Sequence, residues 1–543
     1  MSLDPTLIGE VEAWIALDPS PADAALLKSW LDEEDEAKLR RSFNGFLQFG
    51  TAGLRGPIGP GPSCMNRAVV HRTAAGIAAY MKARGLTKVV IGRDARHGSE
   101  DFTQESAQVF AGAGMQVFVL PRPMATPVLA YATTALGADV GIMVTASHNP
   151  PQDNGYKVYL GGTVDGIRYA GSQIVSPADQ QIATEIAKIS ALAPKSDQWT
   201  VLDDLVFNEY VKITAALARA TNPLKVVYSA MHGVGAESLD SVFKAAGFDA
   251  VIHVPAQQYP DPDFSTVAFP NPEEPGAIDL SLALAREVNA DIVIANDPDA
   301  DRCAVAINDS ALGWQMLRGD EVGAILGHYI ATTMHESTLN KSFANSIVSS
   351  SILKKIAAKH GIEFHETLTG FKWLAKIPNL RFGYEEALGY AVDPAHVNDK
   401  DGISAALMIA QCAGELKAAG RTLADYLDEI WADYGFHATD QISIRVSDLA
   451  QIDALLHRLR SKPPQAIGGF ALTQADDLEQ PTDGLPPTNG LRFWLGPNLR
   501  VIVRPSGTEA KLKCYIELVA PQNEAILILP LLRTALTALM VAE

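Results

Sequence analysis

The sequence predicts an α/β protein that ends in a domain of α+β texture. Three observations carry this reading. Short β-branched runs alternate with helix-like stretches from about residue 46 to 436. Each gap between runs leaves room for a helix, which implies parallel strands joined by right-handed crossovers. From about residue 437 the runs alternate apolar and polar positions, the texture of a largely antiparallel sheet with flanking helices.

In chain order, residues 5–45 read as helical. Apolar positions recur at helical spacing through Ala24 to Leu27 and Trp30-Leu31, and Glu33-Glu34-Asp35-Glu36 reads as a solvated face. Val89 to Ile91, Val117 to Leu120 and Val140 to Val144 read as buried strands. A helix-like stretch, Leu202 to Ala218, opens a second cycle with strands at Lys225 to Tyr228, Ala250 to Ile252 and Asp291 to Ala295. A third begins after Arg318 to Glu321, with strand-like Ser346 to Val348 and Phe382 to Tyr384. Gln441 to Val446, Leu491 to Trp494 and Leu499 to Val503 supply the alternating strands of the last domain. The expected domains are 1–207 (a helical extension and the first α/β unit), 208–318, 319–436 and 437–543.

Composition bounds the partners. The 543 residues are 47% hydrophobic and 20% charged, with a formal net charge of −19. That balance disfavours nucleic acid or an anionic membrane as the main partner. An anionic substrate would have to be drawn in by local Arg and Lys clusters. The four cysteines (Cys64, Cys303, Cys412, Cys514) show no metal-ligand spacing, and reduced thiols in a cytoplasmic enzyme are the simplest account. Met1 to Pro5 lacks a signal-peptide pattern, and no run approaches 18 apolar residues, so no transmembrane helix is expected.

Four constellations carry chemistry. After the run Val140 to Val144 comes Thr145-Ala146-Ser147-His148-Asn149-Pro150, then Asn154-Gly155-Tyr156-Lys157. A serine needs a base or a metal for activation, and His148 and Lys157 are candidates for moving protons. The dipeptide alone would also suit an ordinary polar turn. In the same unit, Gly50-Thr51-Ala52-Gly53-Leu54-Arg55-Gly56 offers glycines for close anion approach and Arg55 as a fork donor to phosphate, although an ordinary loop would look similar.

The second constellation is Asn296-Asp297-Pro298-Asp299-Ala300-Asp301-Arg302, directly after an apolar strand. Three carboxylates at alternate positions repel unless a cation sits between them, and oxygen-only ligation suits Mg2+. The third is Gly383-Tyr384-Glu385-Glu386-Ala387-Leu388-Gly389-Tyr390, where adjacent carboxylates suit hydrogen bonding to sugar hydroxyls and a solvated loop would read the same way. Lys372 and Lys400 lie in loops on either side. The fourth, Arg504-Pro505-Ser506-Gly507-Thr508-Glu509, combines arginine, hydroxyls and backbone N–H groups into a phosphate cradle.

Taken in order, these four segments closely resemble the α-D-phosphohexomutase superfamily (phosphoglucomutases and phosphomannomutases) from about residue 46 to 515. The resemblance implies three related α/β domains with mixed, mainly parallel sheets and a C-terminal α+β domain around a central cleft. It implies Ser147 as the phosphorylated residue and Mg2+ held by Asp297, Asp299, Asp301 and the phosphoserine. The sugar loop has Glu385-Glu386-Ala387 where well-known members carry Glu-x-Ser, and the helical extension before residue 46 is long. Both features resemble the phosphoglucomutase-2-like branch, which includes phosphopentomutases and glucose-1,6-bisphosphate synthases.

The expected activity is reversible transfer of phosphate between the 1- and 6-positions of a hexose phosphate, glucose phosphate first, through phosphoserine 147 and a sugar bisphosphate that also acts as activator. Mannose or pentose phosphates are alternatives. Arg302 and His148 would add hydrogen bonds, and Lys157 or Lys400 would move protons, given a depressed pKa. Lys372, Glu385 and Glu386 would bind the sugar, while Arg504, Ser506, Gly507 and Thr508 would grip the distal phosphate. The expected partner is a small sugar phosphate, with no nucleic acid and no membrane, on a monomer or homodimer. A serine hydrolase lacks its Gly-x-Ser-x-Gly elbow here; a non-catalytic sugar-phosphate sensor on the same fold is the reading from another class.

Overall fold

The computed structural model describes residues 3–50, 53–219, 221–333, 341–446, 449–482, 484–506 and 511–541. It divides into two compact units, Met1–Leu317 with Gly389–Gly420, and Arg318–Leu388 with Arg421–Glu543.

The first unit opens with three helices, Pro5–Ile15, Pro21–Asp32 and Glu36–Ser42. Asp4, Ser20 and Asp35 cap them by accepting from the backbone N–H of Thr6, Asp23 and Lys38, which satisfies donors that a helix start leaves orphaned. Leu3, Leu7, Val11, Leu27 and Leu39 bury together as a small core.

The first sheet runs in the order Gly53–Pro57, Asp153–Leu160, Val140–Val144, Lys88–Arg93, Gln116–Val119, Thr200–Val201. Its central pairings are parallel, as the uninterrupted apolar runs predict. Asp153–Leu160 and Gly53–Pro57 join antiparallel. Gly53 sits at φ +128°, and a Cβ there would meet the Tyr156 carbonyl oxygen at 1.8 Å. This glycine therefore lets two strands approach.

The second sheet has the order Val251–His253, Val226–Ser229, Ile292–Ala295, Ala304–Asp309, Gly313–Met316, parallel over the first three strands and antiparallel beyond. Strands Ile292–Ala295 and Ala304–Asp309 form a hairpin closed by residues 296–303. Asp401 caps helix Gly402–Ala418, which packs on helices Gly235–Ala246 and Leu205–Ala215.

In the second unit, strands Glu363–Thr367, Ser342–Ser346 and Leu380–Glu385 are parallel. The strand expected at Ser346 to Val348 ends at Ser346: the chain turns there through Ser349 N–H to the Ser346 carbonyl, and helix Ile352–Lys359 follows. A five-stranded antiparallel sheet completes the unit, in the order His437–Arg445, Lys511–Val519, Leu499–Pro505, Leu491–Trp494, Gln474–Asp477. Helix Gln522–Val541 buries Ala525, Leu532, Leu536 and Met540 against this sheet's core. It is long and apolar enough to cross a membrane, a test that a core helix packed on a sheet also passes. Arg533 interrupts it and pairs with Asp440 of the sheet.

Candidate active site

Ser147 and the aspartate loop both lie just beyond the carboxyl ends of parallel strands, where open α/β sheets place their ligands. Ser147 follows strand Val140–Val144, and Asp297 follows strand Ile292–Ala295. Ser147 is 3% exposed and holds φ +53°, a left-handed conformation that costs a non-glycine residue energy. Its N–H donates to Thr145 Oγ1 at 2.9 Å, and its Oγ lies 3.2 Å from His148 Nδ1. The same Oγ donates to Asp297 Oδ2 at 2.8 Å.

The three aspartates are buried, with candidate ligand oxygens within 4.8 Å of one another. Asn296 holds the loop's shape: its Nδ2 donates to the Arg302 carbonyl, and its Oδ1 accepts from Tyr228. Asp297 Oδ1 accepts the Arg302 N–H at 3.0 Å. Among the described residues, Oδ1 of Asp299 and Oδ1 of Asp301 are buried without a hydrogen-bond partner. Buried carboxylate oxygens left unpaired are costly, and an oxygen-only set of this kind fits a hard cation. These residues could hold a metal ion.

Lys157 lies on strand Asp153–Leu160, paired with Met143 on one side and Gly53 on the other. Its Nζ donates to Asp299 Oδ2 at 2.6 Å and Asp301 Oδ2 at 2.8 Å. Lys400 Nζ lies 3.2 Å from Asp301 Oδ2 and 3.3 Å from Asp399 Oδ1. Gly402 allows this second approach, since a Cβ there would stand 2.2 Å from the Arg302 carbonyl oxygen.

Electrostatics follow from the geometry. Burial, then the Asp299 and Asp301 charges, push the Asp297 carboxyl well above the usual range. Burial and Asp301 act the same way on Asp299, but Lys157 and the Thr126 hydroxyl more than offset them and lower it. Asp301 is also lowered, with burial outweighed by Lys157, Lys400 and Arg302. Burial alone would lower Lys157, yet Asp299 and Asp301 raise it above the ordinary lysine value. Lys157 therefore lacks the depressed value that a base near neutral pH would need.

Arg55 sits on strand Gly53–Pro57 and donates from Nη1 to Asn149 Oδ1 at 3.2 Å. Arg302 is mostly buried, with Nη1 3.7 Å from Glu273 Oε2. The first unit thus gathers Ser147, His148, Lys157, Asp297, Asp299, Asp301, Arg302, Lys400 and Arg55 around one locus.

The second unit holds the remaining candidates. Glu385 Oε1 accepts the Gly370 N–H at 2.6 Å. Glu386 Oε2 accepts from Ser346 at 3.1 Å and Ser349 at 3.2 Å, so one oxygen of this carboxylate is committed to the protein. Lys372, expected in a loop, lies in the short helix Phe371–Leu374 and is buried. Arg504 is half-buried on strand Leu499–Pro505, and Ser506 N–H donates to the Lys511 carbonyl. Gly507 and Thr508 lie outside the described residues.

Sequence reasoning missed Thr126 and Arg96. Thr126 Oγ1 donates to Asp299 Oδ2 at 2.6 Å across 173 positions of chain. Arg96, in Arg93-Asp94-Ala95-Arg96 after strand Lys88–Arg93, donates to the carbonyls of Ser147, Asn149, Pro150 and Asp153. Its position beyond a strand's carboxyl end was the available signal.

Known proteins match this architecture. Family models described as phosphoglucomutase/phosphomannomutase alpha/beta/alpha domains I, II and III match residues 47–192, 207–312 and 318–434. The chain is 47% identical over 461 residues to the "Probable phosphomannomutase" of Haemophilus influenzae, covering 83% of this chain and 93% of that protein. It is 34% identical to the phosphopentomutase of Mus musculus, covering 97% and 92%. A phosphoglucomutase of Staphylococcus aureus is 32% identical, covering 95% and 96%. Among solved structures, a phosphoglucomutase/phosphomannomutase family protein from Burkholderia thailandensis superposes with a TM-score of 0.70 at 20% identity, covering 91% and 98%, a likeness of fold.

Proposed function

The chain belongs to the phosphoglucomutase/phosphomannomutase family, and on that premise we propose that it moves phosphate reversibly between the 1- and 6-positions of a hexose phosphate through a phosphoserine at Ser147. Membership makes it a mutase-type isomerase of sugar phosphates. The observation that supports the phosphoserine reading is the 2.8 Å bond from Ser147 Oγ to Asp297, beside two carboxylate oxygens that have no partner.

In this reading the phosphoryl group leaves Ser147 Oγ for a sugar hydroxyl, the hydroxyl's proton returns to the serine oxygen through neighbouring side chains, and the bisphosphate hands its other phosphate back. Asp297, Asp299 and Asp301 would hold Mg2+, which when bound neutralises charge on the transferred phosphoryl group. Lys157 and Lys400 carry the protons. His148 and Arg302 supply hydrogen bonds to the phosphoryl oxygens, and Arg55 adds a half-buried cation. Glu385, Glu386 and Lys372 bind the sugar, with Glu386 offering only the oxygen that the serines leave. Arg504 with the Ser506–Thr508 segment grips the unreacting phosphate, whose binding energy then orients the reacting end.

Glucose 1-phosphate is the first substrate to test, with glucose 1,6-bisphosphate as activator and the cytoplasm as the place of action. A pentose phosphate is the second reading, supported by Ala387 in the sugar loop and the near full-length phosphopentomutase relatives. Comparing kcat/KM for glucose, mannose and ribose 1-phosphates decides: a preference of about tenfold or more for the pentose would overturn the glucose assignment. A sensor would show no turnover on any of them.

A further inference from the structure

Between strand Val251–His253 and helix Asp279–Val288 runs a long connection in the second sheet's domain. One turn of it is built around Asp261. The Asp261 carboxylate accepts the N–H groups of Asp263 and Ser265, its own N–H donates to the His232 carbonyl, and Thr266 Oγ1 accepts from Gln257 and contacts His232 Nε2. The turn forces Phe264 to φ +49°, a strained value for an aromatic residue, while leaving it 2% exposed. What the strain secures is a contact: the Phe264 ring lies 4.8 Å from the guanidinium carbon of Arg96. Beside it, His97 Nε2 meets Asp263 Oδ1 at 2.8 Å.

Arg96 has little freedom on its other sides. Nη2 donates to the carbonyls of Ser147 and Asn149, both at 2.6 Å, and Nη1 to those of Pro150 at 2.8 Å and Asp153 at 3.2 Å. Asp94 stands 3.3 Å from Nε and is itself fixed by Ser99 Oγ and the Arg96 N–H. A planar fork with rigid donors can fix several carbonyls at once, which a lysine's single nitrogen cannot. A cation covered by an aromatic face is shielded from water, so its donors are not shared with solvent.

We infer that Phe264 is a positioning residue for the serine loop, acting through Arg96: the turn from the second sheet's domain seals the guanidinium that sets the backbone of Ser147. The inference rests on the phosphoserine reading, because only a loop that carries the phosphoryl group needs its φ +53° serine held to this tolerance.

Phe264→Leu keeps the volume and removes the π face; Phe264→Ala removes both, and Arg96→Lys keeps the charge without the fork. For each full-length protein three quantities are measured: the single-turnover rate of Ser147 phosphorylation by glucose 1,6-bisphosphate, the kcat and KM for glucose 1-phosphate, and Tm. The inference expects Phe264→Leu to lose about tenfold in both phosphorylation rate and kcat, with KM within about twofold of the parent. Arg96→Lys should lose on the order of 100-fold, the cost of misplacing a reacting group. A packing role alone would lower Tm and leave these rates unchanged, and that result with Phe264→Leu overturns the inference. Should Phe264→Ala fail to fold, the leucine variant alone decides. A parent protein that neither takes phosphate from the bisphosphate nor turns over would overturn the phosphoserine reading itself, and would do so before any substitution is made.

Discussion

Ser147 Oγ and Asp297 Oδ2 stand 2.8 Å apart although 150 residues of chain separate them. Each belongs to a loop that follows a strand of its own sheet, and Thr126, Lys157 and Lys400 converge on Asp299 and Asp301 of the same aspartate loop. A serine built only to donate to solvent would not be placed this way. The contact turns the serine from a nucleophile with an adjacent imidazole into a group whose first partner is an acidic, cation-seeking loop.

Removing the cation should stop the enzyme. Dialysis against EDTA is expected to abolish turnover and added Mg2+ to restore it. Asp299→Asn should raise the Mg2+ concentration needed for half-maximal activity by about tenfold or more, because a ligand charge is lost. An EDTA-treated protein with full activity would remove the metal from the account.

Lys157 is the cation that faces both Asp299 and Asp301, with Lys400 beside Asp301 as well. Lys157→Met should therefore destabilise the metal-free protein by about 3 kcal/mol, the usual cost of leaving buried carboxylates uncompensated. Thermal melts should show Mg2+ raising the Tm of this variant more than that of the parent. Equal Mg2+ shifts would mean that lysine and cation do not compensate the same carboxylates.

Glu105 makes an acid-stability prediction. Burial alone would raise its carboxyl, but His71, Lys195 and Arg67 converge on it and hold it down at about 2. A carboxyl depressed in the folded state contributes stability that is complete above its unfolded value of about 4.5 and is lost as pH falls toward 2. Glu105→Gln should melt below the parent at pH 7, with the gap closing between about pH 4.5 and 2. A gap independent of pH would show that ionisation of Glu105 is not what stabilises that cluster.

On the proposed role of Arg504 as the grip on the phosphate that is not reacting, Arg504→Ala should raise KM for glucose 1-phosphate by about tenfold or more while Ser147 still accepts phosphate from the bisphosphate. Loss of serine phosphorylation in this variant would place Arg504 at the reacting end instead.

Much of this was legible in the chain. Continuous apolar runs such as Val140–Val144 marked central parallel strands, because a strand buried on both faces has no polar side to show. The alternate aspartates marked the acidic loop, because like charges at that spacing need a reason. What escaped were facts set by register and by distant backbone. Nothing local announces that Lys157 stands opposite Met143 and so reaches Asp299, or that its neighbours raise its pKa instead of lowering it. The glycines around Gly53 read as an anion approach or an ordinary loop, and nothing local told that the missing side chain of Gly53 makes way for the Tyr156 carbonyl oxygen. Nothing near Glu386 told that Ser346 and Ser349, 40 and 37 residues earlier in the chain, take one of its oxygens. The role of Arg96 could not be read from its segment, because its four acceptors are carbonyls and carbonyls leave no mark in a sequence.

The central claim is that Ser147 carries phosphate, and intact-mass measurement tests it most directly. After incubation with glucose 1,6-bisphosphate and removal of small molecules, the protein should gain one phosphate, lose it on addition of glucose 6-phosphate, and gain none when Ser147→Ala is treated alike. A Ser147→Ala protein that takes up the same phosphate, or that keeps near-normal turnover, would contradict the account.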